Sequence, residues 1–178
     1  MSSYEQHNYD LVFKALVFSL SPKKIVEIGV FNGFSLDCFI NSSNENCKIY
    51  AYDLFEDYEY RHQRFKKIKK QYSTHKNVYI AKMDFKEVYN YHSDNSIDIL
   101  HVDISNNGDT YRFAMDNYMP KVSKNGIMIL EGGSHQRDNC EWMEEFKFPK
   151  ITPAIKEINK KHSLLVLEPH PSLTIIRK

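Results

Sequence analysis

Residues 23–38 contain the residue types best suited to chemistry. They read K-K-I-V-E-I-G-V-F-N-G-F-S-L-D-C, where a short apolar run ends in Glu27-x-Gly29-x-x-x-Gly33 and a helix-like segment follows from Ser35. A strand, a glycine turn and a helix start in this order let a ligand approach bare backbone. They also offer the ligand unpaired N–H groups that carry a partial positive charge.

A second signal is Asp53, which closes the next apolar segment, I-Y-A-Y-D. An acid about 20 residues beyond such a turn is placed to accept hydrogen bonds from a ribose. The two signals together predict a binding site for a cofactor that contains a nucleoside.

Apolar runs and turn residues predict strands that alternate with helices. The predicted strands are 24–29, 48–53, 77–82, 97–102, 127–131, 163–168 and 172–177. The predicted helices are 4–20, 34–42, 57–72, 85–91, 110–121, one that opens near residue 138, and 153–161. Continuously apolar central strands are typical of a parallel sheet covered on both faces, so we expect an α/β fold closed by an antiparallel hairpin.

Local signals set several boundaries. The Asn125-Gly126 pair is read as the turn before the fifth strand, Asp109 as an N-cap, and Asp138-x-x-Glu141 as a capping box. The first helix is expected to end at Ser21-Pro22. It is expected to pack through four apolar positions: Leu11, Val12, Ala15 and Leu16.

The composition limits the classes of protein that fit. A chain of 178 residues is expected to form a single domain over residues 1–178, and a net charge of +1 gives no bias toward nucleic acid or membrane. Three cysteines without C-x-x-C spacing argue against a disulfide framework or a zinc site. Because no signal peptide or membrane-length apolar run is visible, we expect a cytoplasmic protein without membrane partners.

The order of these motifs resembles the class I S-adenosylmethionine-dependent methyltransferases over nearly the whole chain. Phe31 stands where a dinucleotide G-x-G-x-x-G has its second glycine. The segment E-I-G-V-F-N-G-F-S is similar to the loop of the catechol-type and related small-molecule O-methyltransferases. The resemblance implies a Rossmann-like, doubly wound seven-stranded sheet, mostly parallel, and S-adenosylmethionine as cofactor, with S-adenosylhomocysteine as product.

The resemblance also implies which residues bind the cofactor. In chain order they are Glu27, Gly29, Phe31, Gly33, Ser35, Asp53, Leu54, Asp84, Phe85 and Asp103. The loop residues would lie along the methionine part, with Ser35 on its carboxylate and Glu27 beneath the loop. Asp53 would take the ribose hydroxyls. Leu54, Asp84 and Phe85 would surround the adenine, and Asp103 would lie where the methyl group is presented.

Three side chains are candidates for removing the proton of a hydroxyl acceptor: Asp103, Glu131 and His135. Arg137, in the same loop as His135, is read either as a ligand for an anionic acceptor or as a solvated side chain. His101 is expected to be a buried sheet histidine. Trp142 and Phe146 share one helix face and are expected to pack.

A metal site is not expected, although one alternative stays open. In the metal-dependent branch of these enzymes, a carboxylate after strand four and an Asp-Asn pair after strand five hold magnesium. Asp103 and Glu131 supply the carboxylates and are the alternative Mg²⁺ ligands here, but Gly132 replaces the asparagine. The lysine base of the catechol enzymes is also missing from residues 104–106.

The favoured hypothesis is an enzyme that methylates an oxygen of a small polar metabolite, a sugar or a nucleotide-linked glycan precursor. The acceptor is expected to be anionic or sugar-linked, and the enzyme a homodimer. The alternatives are a nucleic-acid methyltransferase that uses the basic residues 61–70, a non-catalytic cofactor-binding subunit, and an NAD-dependent dehydrogenase. No N-P-P-Y or D-P-P-Y follows the fourth strand, which disfavours amino methylation of nucleic-acid bases.

Overall fold

A computed structural model of the chain describes residues 4–58, 64–168 and 171–178, without the side chain of Gln6. The helices are α1 (Tyr9–Leu20), α2 (Phe34–Ser42), α3 (Phe65–Gln71), α4 (Phe85–Val88), α5 (Gly108–Asn117), α6 (His135–Asp138), α7 (Glu141–Glu145) and α8 (Ile151–Ile158). The strands are β1 (Lys24–Ile28), β2 (Lys48–Asp53), β3 (Val78–Lys82), β4 (Ile97–Val102), β5 (Val122–Glu131), β6 (Leu164–Leu167) and β7 (Leu173–Arg177).

The strands form one seven-stranded sheet in the order β3-β2-β1-β4-β5-β7-β6. Strand β7 runs antiparallel to both β5 and β6, whereas β1, β2 and β3 pair in parallel. The predicted α/β fold with a mostly parallel, Rossmann-like sheet and an antiparallel C-terminal hairpin is therefore confirmed.

The chain divides into two compact units, and the first is Met1–His92. Here β1 is buried through Ile25, Val26 and Ile28, as expected for a strand covered on both faces. Helices α1 and α2 pack through aromatic rings, with the centroids of Phe13 and Phe39 5.3 Å apart in an edge-to-face arrangement.

The second unit is Ser93–Lys178, and its sheet corrects one predicted turn. Asn125 and Gly126 lie inside β5, where the pairing with β4 shifts register between Ile97 and Ile99. A Cβ on Gly126 would lie 2.8 Å from the carbonyl oxygen of Asp98. Gly126 therefore lets the backbone of β4 approach β5 closely. In the sequence, a glycine with this role looks the same as a glycine in a turn.

The buried face of α1 differs from the predicted one. The helix ends as expected, with Ser21 in the left-handed conformation, but it buries Tyr9, Phe13 and Val17. Leu11 is 62% exposed. Burial of the large Tyr9 and Phe13 rings removes apolar area from water and favours this orientation of the helix.

Two predicted helix caps are also wrong. Helix α5 is capped by Asn107, whose side-chain oxygen accepts hydrogen bonds from the N–H groups of Asp109 and Thr110. Asp109 therefore lies in the first turn. Helix α7 begins after Cys140, which makes no side-chain capping bond, so Asp138-x-x-Glu141 is not a capping box.

Asp138 caps a different helix. Its carboxylate accepts hydrogen bonds from Ile151 N at 2.5 Å and Thr152 N at 2.8 Å, at the start of α8. Asp138 is only 2% exposed. A negative charge at a helix N-terminus satisfies its unpaired N–H groups and interacts favourably with its dipole.

Some predictions lie partly outside the described residues. Of the charged helix predicted over 57–72, only α3 is observed, because Tyr58 and Arg64 have extended backbone; residues 59–63 are not described. In α3, Ile68 is buried and the lysines are exposed. Of the predicted hairpin turn, residues 169–170 are not described. None of the described helices has the length and apolar character needed to cross a bilayer. The single domain over 1–178, the cytoplasmic location and the homodimer stay predictions.

We predict that Asp138→Ala lowers the free energy of unfolding by about 2–4 kcal/mol, because it leaves two backbone donors of α8 without their acceptor. Urea denaturation followed by circular dichroism measures the loss. Asp138→Asn, which keeps one acceptor oxygen, should lose less.

The matched control is Glu141→Ala, at the other end of the rejected capping box. Glu141 is exposed, so its substitution should change the free energy of unfolding by no more than about 0.5 kcal/mol. A larger effect for Glu141→Ala than for Asp138→Ala would contradict the observed capping.

Candidate active site

The glycine loop, residues 29–33, connects β1 to α2. Gly29 and Gly33 have φ angles of 93° and 90°, and Phe31 has 47°. Glycine adopts such angles without steric cost, whereas a phenylalanine does so only where its surroundings hold it. The sharp turn leaves the Phe31 ring 45% exposed, beside the start of α2.

Asp53 holds this loop in place. Its Oδ2 accepts hydrogen bonds from Val30 N at 2.7 Å and Phe31 N at 3.0 Å, and its Oδ1 accepts one from Phe55 N at 2.7 Å. The side chain is buried at the carboxyl end of β2. The structure thus brings Asp53 and the glycine loop together, as the sequence predicts. Ribose hydroxyls bound by Asp53 would have to share this carboxylate with the backbone.

Glu27 and Ser35 form a second buried contact under the loop. The Ser35 hydroxyl donates to Glu27 Oε1, and Glu27 is fully buried. A hydroxyl carries a single proton, so this one is not available to a methionine carboxylate while the bond persists. The predicted role of Ser35 is better served by its backbone N–H, in the first turn of α2.

Tyr72, which follows α3, packs against the start of α2. Its hydroxyl oxygen lies 2.9 Å from Asp37 Oδ1 and 3.2 Å from the Gly33 carbonyl oxygen. Burial, together with the hydrogen bond to Asp37, raises the pKa of this hydroxyl, so it remains a protonated donor. A Cβ on Gly33 would overlap the Tyr72 hydroxyl, which explains the need for glycine there.

The residues predicted to surround adenine occupy different environments. Asp84 is exposed and caps α4, with its Oδ1 accepting from Lys86 N at 2.7 Å. Phe85 is buried, and Leu54 is half-buried after β2. Their contacts with adenine stay predictions.

In the second unit, Glu131 ends β5 and forms an ion pair with Arg137. Arg137 Nε lies 2.7 Å from Oε1 and Nη2 lies 2.9 Å from Oε2, the two-pronged geometry that suits guanidinium and carboxylate. Arg137 is only 2% exposed. Neither predicted role of Arg137, a solvated side chain or a ligand for an acceptor, anticipated this pairing.

Asn106 joins the ends of the two strands beside this pair. Its side-chain Nδ2 donates to the carbonyl oxygens of Val102 at 2.9 Å and Glu131 at 3.0 Å. Its main-chain carbonyl oxygen accepts from Arg137 Nη2 at 3.1 Å. Since Asn106 is fully buried, these bonds fix the relative positions of the carboxyl ends of β4 and β5.

The other candidate proton acceptors differ in exposure. Asp103 is half-buried directly after β4. His135 is exposed on α6, and its Nδ1 lies 3.2 Å from Asn139 Nδ2. His101 is fully buried in β4, as expected of a sheet histidine. Among the residues that the structure describes, no group of three or more His, Cys, Asp or Glu side chains is arranged to hold a metal ion.

Comparison with known proteins identifies the family. A family model described as "Methyltransferase domain" matches residues 26–131, which is more than half of the chain. The chain belongs to the methyltransferase domain family. This methyltransferase domain is of the class I, S-adenosylmethionine-dependent type, as the sequence predicted, and its cofactor is S-adenosylmethionine.

Individual relatives are distant. A proposed caffeoyl-CoA O-methyltransferase from Staphylococcus aureus matches with a TM-score of 0.73 at 18% identity, over 97% of this chain and 83% of that one. A methyltransferase from Podospora anserina with bound S-adenosylhomocysteine matches with a TM-score of 0.69 at 17% identity, over 99% of this chain and 79% of that one. At these identities the likeness shows the fold alone.

One curated relative matches in sequence. The uncharacterized protein y4gI of Sinorhizobium fredii (strain NBRC 101917 / NGR234) is 26% identical over 123 residues, which is 65% of this chain. The chain corresponds to 14% of the length of that protein.

Two contacts of the methyltransferase domain carried little signal in the sequence. The ion pair joins residues six apart across a Gly-Gly turn, a spacing that no helix or strand periodicity marks. Tyr72 lies 39 residues from Gly33, which it contacts. The second loop glycine predicts that a bulky residue packs close to it, but the sequence does not show which residue that is.

We predict that Gly33→Ala lowers the free energy of unfolding by about 1–3 kcal/mol, because alanine is strained at this φ and meets the Tyr72 hydroxyl. Thermal and urea denaturation measure the effect. The same substitution in a Tyr72→Phe background removes the hydroxyl and should recover part of the loss. Full additivity of the two substitutions would argue against the contact.

Proposed function

We propose that this methyltransferase domain transfers a methyl group to a hydroxyl oxygen of a small polar acceptor, with a sugar or a nucleotide-linked metabolite as the candidate class. The observation that carries the cofactor half of the proposal is the glycine loop held on the Asp53 carboxylate. The oxygen acceptor is supported by the Asp103 carboxylate, which directly follows β4 and would receive the proton of a hydroxyl.

The first unit would bind the cofactor through its loop. Gly29 lets the ligand approach the backbone, and the half-exposed ring of Phe31 can cover it. The N–H groups at the start of α2 favour an anionic group such as a carboxylate. Asp53 would accept from the ribose hydroxyls while it keeps the loop closed, so a single carboxylate would couple loop shape to cofactor binding.

Bound S-adenosylmethionine supplies a methyl group on a positively charged sulfur, which is already activated for transfer. The protein then has to align the acceptor hydroxyl and receive its proton. Asp103 is our candidate for this base, because both oxygens of Glu131 already accept from Arg137. The new bond joins the acceptor oxygen to the methyl carbon, the carbon–sulfur bond breaks, and the proton passes to Asp103. His135 is the alternative base.

A nucleic-acid acceptor is the second candidate, because the lysines of α3 form a basic surface. Lys66, Lys67, Lys69 and Lys70 are all exposed on one short helix. Within α3, Ile68 is the only buried residue, so the helix exposes mainly charged side chains. It exposes few aromatic rings on which nucleic-acid bases could stack. Such a surface favours binding to phosphates without base recognition.

We expect Asp53→Ala to weaken binding of S-adenosylmethionine and S-adenosylhomocysteine by roughly 10- to 100-fold, the effect of losing one to two charge-assisted hydrogen bonds. Isothermal titration calorimetry measures the change, with NAD as the comparison ligand. Asp53→Asn retains an acceptor for the loop but loses the charge, and it should be intermediate.

Glu45→Ala, an exposed acid of the same unit, is the control and should bind the cofactor as the wild type does. Equal affinity of Asp53→Ala and wild type would remove Asp53 from the cofactor site. Tighter binding of NAD than of S-adenosylmethionine would favour the dehydrogenase alternative.

We expect Asp103→Asn to lower kcat by about 100-fold or more once an acceptor is found, since a positioned base contributes that much. Production of S-adenosylhomocysteine is followed with pools of sugars, nucleotide sugars and RNA. Asp109→Asn, exposed in the same unit, is the control. If only RNA is methylated, the small-molecule proposal is wrong. If no pool is methylated although the cofactor binds, the non-catalytic alternative is favoured.

A further inference from the structure

The Glu131–Arg137 pair lies where the resemblance to the metal-dependent enzymes would place a divalent metal ion. In the metal-dependent O-methyltransferases that this sequence resembles, carboxylates after strands four and five hold magnesium. Here the carboxylate of strand five is bound at both oxygens by one guanidinium, at 2.7 and 2.9 Å. A metal ion at Glu131 would have to share this carboxylate with the positively charged guanidinium or displace it.

The neighbouring position cannot supply a replacement ligand. Gly132 stands where the metal-dependent enzymes have asparagine, and its φ is 98°. A Cβ there would lie 2.8 Å from Ile151 Cδ1. Glycine has no side-chain donor, and a side chain at this φ would be strained. Residue 132 therefore supplies no replacement for the asparagine ligand, and the donor set does not fit Mg²⁺.

Contacts with residues other than Glu131 also hold the Arg137 side chain in place, so a metal ion cannot easily displace it. Its guanidinium carbon lies 4.1 Å from the centroid of the Trp142 ring. Nη2 also donates to the carbonyl oxygen of Asn106 at 3.1 Å, and Nη1 lies 3.6 Å from Cys140 Sγ. Its backbone N–H donates to the Ser134 hydroxyl at 3.1 Å.

The charge of Arg137 is also stabilised. Burial alone would lower the pKa of this guanidinium, but its hydrogen bond and charge interaction with Glu131 outweigh burial and raise it. A divalent cation brought to Glu131 would face a permanent positive charge within a few ångströms, in surroundings where charge repulsion is strong.

We propose that Arg137 is a built-in counter-cation that takes the place of the divalent metal ion, so that Glu131 binds no metal and methyl transfer needs none. Arg137 then acts as a positioning residue that holds Glu131 and, through Asn106, the end of β4. The acceptor does not need two adjacent oxygens to chelate a metal, so an isolated hydroxyl suffices. The exclusion of metal stands on the geometry, whereas metal-free methyl transfer rests on the proposed function.

Manganese binding tests the exclusion without any need for activity. Mn²⁺ is titrated into the purified chain, and the electron paramagnetic resonance signal of free Mn²⁺ is followed. We expect the wild type to leave the signal unchanged at equimolar Mn²⁺, and Arg137→Gln, which frees the carboxylate, to gain binding. Arg137→Lys keeps the positive charge and should still exclude the ion.

Stoichiometric Mn²⁺ binding by the wild type that Glu131→Gln abolishes would overturn the proposal. Binding that persists in Glu131→Gln would place the ion elsewhere and leave the exclusion at Glu131 intact. If Arg137→Gln does not fold, the comparison of wild type with Glu131→Gln decides by itself.

The activity test addresses the second half of the proposal. Methyl transfer to the acceptor found above should change less than twofold when the enzyme is treated with EDTA. A loss of more than tenfold that Mg²⁺ restores would show metal dependence and overturn it. If no acceptor is found, the proposed function fails, while the Mn²⁺ titration still decides the role of Arg137.

Discussion

Buried carboxylates near the carboxyl ends of the strands are the constraint on which the rest of this structure depends. Glu27, Asp53 and Glu131 are each less than a tenth exposed. A carboxylate removed from water costs several kcal/mol unless hydrogen bonds or an opposite charge compensate for it. The chain compensates this cost differently at each position, and these contacts fix the backbone around each of the three carboxylates.

In the first unit the compensation comes mainly from dipoles. Asp53 is bound by three backbone N–H groups, and Glu27 accepts from the Ser35 hydroxyl. These hydrogen-bond donors are neutral groups. In the second unit a full positive charge, Arg137, compensates Glu131. The ion pair balances the charge of Glu131, so this carboxylate is better suited to stabilising the fold than to accepting a proton.

The sequence predicted the sheet well because each strand is specified locally. Apolar runs placed β2 at 48–53 and β4 at 97–102, as observed, and the glycine pattern located the loop. The spacing also predicted that Asp53 lies near that loop, although it did not predict the hydrogen bonds from Val30 and Phe31 to its carboxylate. These features depend on residues that are close in the chain or separated by one strand–helix unit.

The failures concern contacts between elements. Asp138 was assigned to the helix that follows it, yet it caps α8, thirteen residues further on, because capping depends on proximity in space. The buried face of α1 was misjudged because Phe13 packs on Phe39 of another helix. Arg137 had two interpretations from the sequence, and neither paired it with Glu131, because the two side chains meet only when the Gly132-Gly133 turn is formed.

The stacking of Arg137 on Trp142 has a practical consequence. Trp142 is the single tryptophan among the 178 residues, and its ring lies on the guanidinium that holds Glu131. Indole emission responds to nearby charge and to solvent, so all the tryptophan fluorescence of this chain originates beside the ion pair. The chain therefore carries an intrinsic optical probe at the end of β5, which reports on that region without any label.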